Sequence, residues 1–268
     1  DDIGPFTFNA VRFFVGFVAI LPLVFLFEKK KFKSEFKLDT KTFVILSTLI
    51  GISLFLGSAL QQVALLYTDV ANAAFFTIFY VPMVPIIVFL FKKKSIHWSV
   101  WPSVVLCLIG GYLLTNFYDA TVRLGDGLVL LGALFWSTHI IFTGMIVTKY
   151  NLPLTIGALQ TLIVAIFSFL IGSIYEEFIL NNILNEIDSI LYAGILSGGF
   201  AFVLQIYAQR NILPAPAAII FSLEGVFATI AAWFLLNQIL DINNLLGCFF
   251  ILCGVLLSQL LPLIKKTN

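Results

Sequence analysis

Nine stretches of about twenty apolar residues run through the chain, at roughly residues 6–27, 42–66, 70–91, 97–116, 126–148, 154–175, 189–210, 214–236 and 242–264. A helix rises about 1.5 Å per residue, so each stretch matches the ~30 Å hydrocarbon core of a bilayer. Backbone amides inside that core must bond within their own segment, which favours helices as the spanning structure. Apolar residues make up 60% of the 268 and charged residues 11%. Soluble domains carry about 25% charged residues, and one globule cannot hide this much apolar surface. The fold class expected is an all-α polytopic membrane protein without a soluble domain. Only two connections are long: 28–41 and the acidic 175–188, whose apolar positions fit a short interfacial helix.

The charges are sorted by side. Lys29, Lys30, Lys31, Lys33, Lys37, Lys41, Lys92, Lys93, Lys94, Lys149, Arg210, Lys265 and Lys266 fall at alternate turns on one side. Arg123 stands on the other with Asp69, Asp119, Asp126, Glu176, Glu177, Glu186, Asp188 and Asp241. The positive-inside rule makes the lysine-rich side cytoplasmic. It places the C-terminus inside the cell membrane and Asp1 outside. Cys107, Cys248 and Cys253 all lie in apolar runs and match no metal or redox spacing. They read as small packing residues.

The chain also repeats itself. Sliding it by 143 places Gly51-Ile52 on Gly194-Ile195, Gln62 on Gln205, Ala74 on Ala217, Pro82 on Gly225, Phe91 on Phe234, Ile96 on Ile239 and Gly111 on Gly254. An offset of 148 carries Pro5, Thr7 and Ala10 onto Pro153, Thr155 and Ala158. Five helices separate each element from its copy, an odd number, so the copies are inverted in the membrane as in secondary transporters. The halves are expected at 1–118 and 119–268. The helix at 126–148 has no partner, and its mate is expected before residue 1. Nine visible helices of a native ten follow, a 5+5 inverted-repeat bundle with both ends cytoplasmic.

These residues resemble the EamA-type transporters of the drug/metabolite transporter superfamily. The resemblance rests on GxxLFLGSALQQVALLYTDVANAAFFTIFYVPMVPII in the first half, on PAAIIFSLEGVFATIAAWFL in the second, and on the glycine helices CLIGGYLL and FILCGVLL. It covers the whole chain apart from the expected first helix. Relatives commonly read Glu-Pro where this chain reads Glu224-Gly225; the acid is kept and the proline kink is removed. The resemblance implies a ten-helix bundle that moves small metabolites, often amino acids or related compounds, commonly outward.

Glu224 interrupts the most apolar part of its segment and has plain Val81 as its counterpart. A charge there costs at least ~2.5 kcal/mol on insertion scales. It shares a helical stripe with Ala217, Phe221, Ala228 and Ala231, small residues that let helices approach, so it is expected to face protein or a cavity. It can bind a substrate amine or a coupling proton, or it can be a structural acid bonded to a neighbouring helix. Arg12 shares a stripe with Asn9, Gly16 and Ala19, about two turns inside the outer end of its helix. It can be a fork for a substrate carboxylate or a snorkelling structural arginine. Gln160 takes its place in the second repeat, so the fold alone does not demand the charge.

His139, on a stripe with Gly132, Trp136 and Thr143, can relay a proton or simply bond across helices. The amides of Gln61 and Gln62, and of Gln205 and Gln209, sit at related depths; they can read a polar ligand or fasten helices at ~0.6 kcal/mol per bond. Tyr80 and Trp136 are candidate cavity walls, with plain aromatic packing as the alternative.

HExxH, GxSxG, Walker and CxxC patterns are missing from the chain. No cofactor and no metal are expected, and the chain is not expected to be an enzyme. A membrane-embedded enzyme would need clustered histidines and carboxylates, whereas His97 and His139 lie far apart in sequence and depth. The expected function is secondary active transport, by alternating access, of small polar metabolites, with export as the direction and a proton as a possible coupling partner. The runner-up is a nucleotide-sugar or phosphate-ester exchanger. That site should carry Lys or Arg on several helices near the midplane, and only Arg12 qualifies.

Overall fold

The computed structural model describes residues 3–32, 39–92, 96–115 and 121–264. The sides assigned to Lys33, Lys37, Lys93, Lys94, Lys265, Lys266, Asp1 and Asp119 lie outside the described residues. Among those described, every regular element is a helix. Eight are long and apolar enough to cross a membrane, and Val100–Leu114 is a shorter apolar helix. In chain order the elements are α1 (Pro5–Leu23, extended by a π-helical turn Val24–Glu28), α2 (Thr40–Ala64), α3 (Val70–Thr77), α4 (Tyr80–Lys92), α5 (Val100–Leu114), α6 (Leu124–Tyr150) and α7 (Pro153–Tyr175). Then come α8 (Leu180–Asn185), α9 (Ile187–Leu191), a π-helical stretch Tyr192–Ala201, α10 (Phe202–Gln209), α11 (Pro214–Phe221), α12 (Leu223–Leu236) and α13 (Ile242–Ile264). The short α8 falls where the interfacial helix was expected.

Two spans expected as single helices are broken. The segment from Val70 divides at Ile78-Phe79 into α3 and α4. Pro82 has no N–H to donate to the Ile78 carbonyl, and its ring crowds that carbonyl. The chain responds with tighter i→i−3 bonds, Ile78 N to Phe75 O at 3.2 Å and Val81 N to Ile78 O at 2.9 Å. The copy from Pro214 divides at Ser222, the residue aligned with Phe79, although Gly225 stands where Pro82 would be. The removed proline therefore does not remove the bend. There the Ser222 hydroxyl donates to the Ile219 carbonyl at 2.6 Å, a local bond that competes with the helical ladder. Gly225 N closes a tight turn on Ser222 O at 3.2 Å.

The chain divides into two compact units, Asp1–Gln62 with Ile141–Ile212, and Val63–Ile140 with Leu213–Asn268. Each unit draws on both sequence repeats. In the first, α1 and α7 lie antiparallel and cap one another. Glu176, at the end of α7, accepts from Phe6 N (2.9 Å), Thr7 N (2.7 Å) and the Thr7 hydroxyl (2.6 Å) at the start of α1. Glu28, at the end of α1, accepts from Leu154 N (3.0 Å), Thr155 N (2.8 Å) and the Thr155 hydroxyl (2.7 Å) at the start of α7. Glu28 and Glu176 are themselves 148 apart, the offset that relates the two Pro-x-Thr helix starts. Each carboxylate satisfies amides that no residue of the capped helix can reach, and each meets the positive end of a helix dipole.

Packing inside the units relies on close backbone approach, since apolar side chains gain little from leaving lipid for protein. A Cβ on Gly16 would stand 2.8 Å from Gly194 O, and one on Gly194 would stand 2.6 Å from Arg12 O. In the second unit Gly110 and Gly247 stand in the same relation, at 2.7 and 2.8 Å from each other's carbonyl. Around these contacts the first unit buries Phe43, Leu46, Ile50, Ile146, Tyr150, Ile156 and Ile206, with Phe43 and Tyr150 edge to face at 5.0 Å.

Candidate functional site

The break at Ser222 determines where Glu224 stands. It is not the middle of one helix but the first turn of α12, directly after the break. The side chain is exposed, and it makes no hydrogen bond or ion pair with any described residue. The stripe below it behaves otherwise than expected. Ala217 is buried, but Ala228 and Ala231 are exposed, so that face of α12 is open rather than covered by a close neighbour.

Tyr80, at the first residue of α4, is buried and lies within electrostatic range of Glu224 and Cys107. The Ser222 hydroxyl, its proton on the Ile219 carbonyl, lies 3.4 Å from the Cys107 sulfur. The second unit thus gathers Tyr80, Cys107, Ser222 and Glu224 around the breaks of both half-helix pairs. His139 is fully buried in the same unit, its ring edge-on to Trp136 at 6.1 Å.

Arg12 belongs to the first unit. Its Nε donates to Asn9 Oδ1 at 2.9 Å, and its guanidinium lies over the rings of Phe13 (4.9 Å) and Phe8 (5.2 Å). Gln61 and Gln62 lie in the last full turn of α2, and Gln205 and Gln209 in α10. Gln209 is buried and Gln205 half-buried.

The sequence pattern missed the acid clusters near the helix ends. Besides the reciprocal caps, Asp126 is buried and accepts from the Thr68 hydroxyl, Asn72 Nδ2 at 3.1 Å and Arg123 N at 2.7 Å. Arg123 pairs with Asp69 at 2.7 Å. On the lysine-rich side Asp39 accepts from Lys149 at 2.6 Å and from Thr42 N at 3.1 Å. The Lys149 bond, then Thr42, holds the Asp39 carboxyl down at about 2. No group of three or more metal-ligating side chains occurs among the described residues.

Helices interrupted within their spanning segments, inside a multi-pass helical bundle, are an architecture of membrane transporters. The EamA-like transporter family matches residues 1–116 and 123–260, and the chain belongs to that family. It is 31% identical to an uncharacterized transporter of Archaeoglobus fulgidus, over 97% of this chain and 78% of that protein. It is 24% identical to the uncharacterized transporter YoaV of Bacillus subtilis, over 96% and 88% of the two chains. One solved crystal structure superimposes with a TM-score of 0.79 at 14% identity, covering 99% of this chain and 90% of that one. An identity that low shows a shared fold.

Proposed function

We propose that the protein is a secondary active transporter that exports small polar metabolites, amino acids or related compounds, across the cell membrane by alternating access. In this reading the C-terminus is cytoplasmic. Glu224 carries the proposal. It is an acid in a spanning segment, at a helix break, exposed and without a hydrogen bond or ion pair among the described residues. A lipid-facing carboxylate would be costly, so its exposure is read as access to a polar path. There it holds the substrate amine or a coupling proton. Tyr80 stands beside it as a wall of that path, with Trp136 and His139 further along the same unit. Energy comes from a gradient or from exchange.

Flux of amino acids and amines through proteoliposomes, compared between wild type and Glu224→Gln over pH 5.5–8, tests the reading. Transport should fall at least about tenfold, the effect of losing one charged contact, and its pH dependence should flatten. Unchanged rate and unchanged pH profile would refute the role of Glu224.

A further inference from the structure

We propose that Asn9 and Arg12 form a seat for one planar oxyanion, the carboxylate of the transported solute. The inference rests on the transport reading above. A guanidinium offers three surfaces for bonding: the Nε–H, the two flat faces, and the edge formed by its terminal amines. In Arg12 the Nε–H is committed to Asn9 Oδ1 at 2.9 Å. The guanidinium carbon lies over the rings of Phe13 and Phe8, at 4.9 and 5.2 Å from the ring centroids. The terminal amines bond to no described residue, and Arg12 is in no ion pair. The edge that no described residue takes is the fork that grips a carboxylate with two parallel hydrogen bonds.

Asn9 adds a second donor. Because its oxygen is taken by Arg12 Nε, the orientation of the amide is set, and Nδ2 must point elsewhere. Asn9 is 0% exposed and Nδ2 has no partner among the described residues. Buried donors without acceptors are rare and unfavourable. A cationic fork and an amide donor, neither with a partner among the described residues, therefore sit on adjacent turns of one helix face, with Arg12 itself half-buried.

The other arginines of the described chain are used differently. Arg123 pairs with Asp69, and Arg210 donates to Asn151 at 3.1 Å. The second repeat places Gln160 at the position of Arg12. The close approach of α1 to its neighbour is made by Gly16 and Gly194, not by the charge. The Asn9 bond and the two rings hold the guanidinium in place, and an incoming anion gives its terminal amines a partner. The seat holds one planar, singly charged group, so it selects monocarboxylates and zwitterions over solutes with several phosphates.

An oxyanion at this depth has two possible sources, a solute carboxylate or the phosphate of a lipid headgroup. The test uses the purified full-length protein in maltoside detergent stripped of lipid, followed by thermal unfolding. Its ligands are the twenty L-amino acids, the corresponding amino-acid amides, and phosphatidylglycerol. Expected is stabilisation by at least one amino acid and none by its amide. Arg12→Gln should raise that apparent Kd at least about tenfold, the effect of one charged hydrogen-bond pair, without lowering the ligand-free Tm.

Arg12→Lys keeps the charge but not the fork and should also weaken binding. Asn9→Asp supplies a carboxylate from within and should abolish it. The proposal is overturned if Arg12→Gln leaves a carboxylate-dependent shift intact, or if no carboxylate stabilises the wild type. A shift by phosphatidylglycerol alone that vanishes in Arg12→Gln would overturn it too, in favour of a lipid seat. Should the Arg12-dependent shift be present while the same amino acids show no flux in proteoliposomes, the transport reading fails and the seat stands.

Discussion

Glu28 and Glu176 make the same three bonds, but their surroundings differ, and the difference predicts unequal losses. Glu28 is 6% exposed and its partner Thr155 is also buried. In Glu28→Ala the amides of Leu154 and Thr155 lose their acceptor with no water to replace it. A buried unsatisfied group costs about 1–3 kcal/mol, so two of them, partly relaxed, should cost about 3–4 kcal/mol. Glu176 is half-buried at the opposite end. In Glu176→Ala water can reach Phe6 N and Thr7 N, which leaves the loss of an N-cap and its dipole interaction, about 1–2 kcal/mol. Unfolding free energies measured by steric trapping in bicelles would read both. A double-mutant cycle of Glu28→Ala with Thr155→Val should give a coupling of about 1 kcal/mol or more. Equal losses at the two ends, or a loss under about 0.5 kcal/mol for Glu28→Ala, would refute the reasoning.

Gly16→Leu should destabilise the first unit by at least about 2–3 kcal/mol, because its Cβ meets the Gly194 backbone, which cannot rotate away; a Tm unchanged within error would contradict the close approach. Gly225→Pro removes the Gly225 N–H bond to Ser222 O and should cost about 1 kcal/mol. Pro is accepted in a first helical turn, and the nearest atom to a new Cβ is Leu114 Cδ1 at 3.5 Å; aggregation of this variant would show that the break depends on the Gly225 amide. Asp39 has its folded-state pKa depressed to about 2, so the stability it contributes is present above its ordinary pKa of about 3.9 and lost as pH falls towards 2. The Tm gap between wild type and Asp39→Asn should therefore close between those values and shrink in salt; a gap that widened on acidification would count against the pair.

The spans were legible because a bilayer imposes a length and a composition that few other structures share. Even so, the segment expected at 97–116 holds its described helix only over Val100–Leu114. The break after Val70–Thr77 could be read from Pro82, which acts on its own neighbours. The break at Ser222 could not, because a serine marks no kink unless its hydroxyl turns inward to Ile219. Glu224 stood out as an unexplained charge, yet its place at a helix start depended on that hidden break. Glu28 and Glu176 read as ordinary loop acids. Their partners lie 126–127 and 169–170 residues away, beyond any local pattern, and only the shared offset of 148 would have joined them.

The reciprocal caps also set a timetable. Ribosomes add about 5–20 residues per second, so the 170 residues between Phe6 and Glu176 take on the order of ten to thirty seconds to appear. During that interval α1 is in the membrane with its first amides served only by interfacial water and its Gly16 face against lipid. Gly194, which closes that face, is made later still. The helix that leads this unit in sequence is therefore among the last to complete its bonds, and the quality of the first repeat is decided by the synthesis of the second.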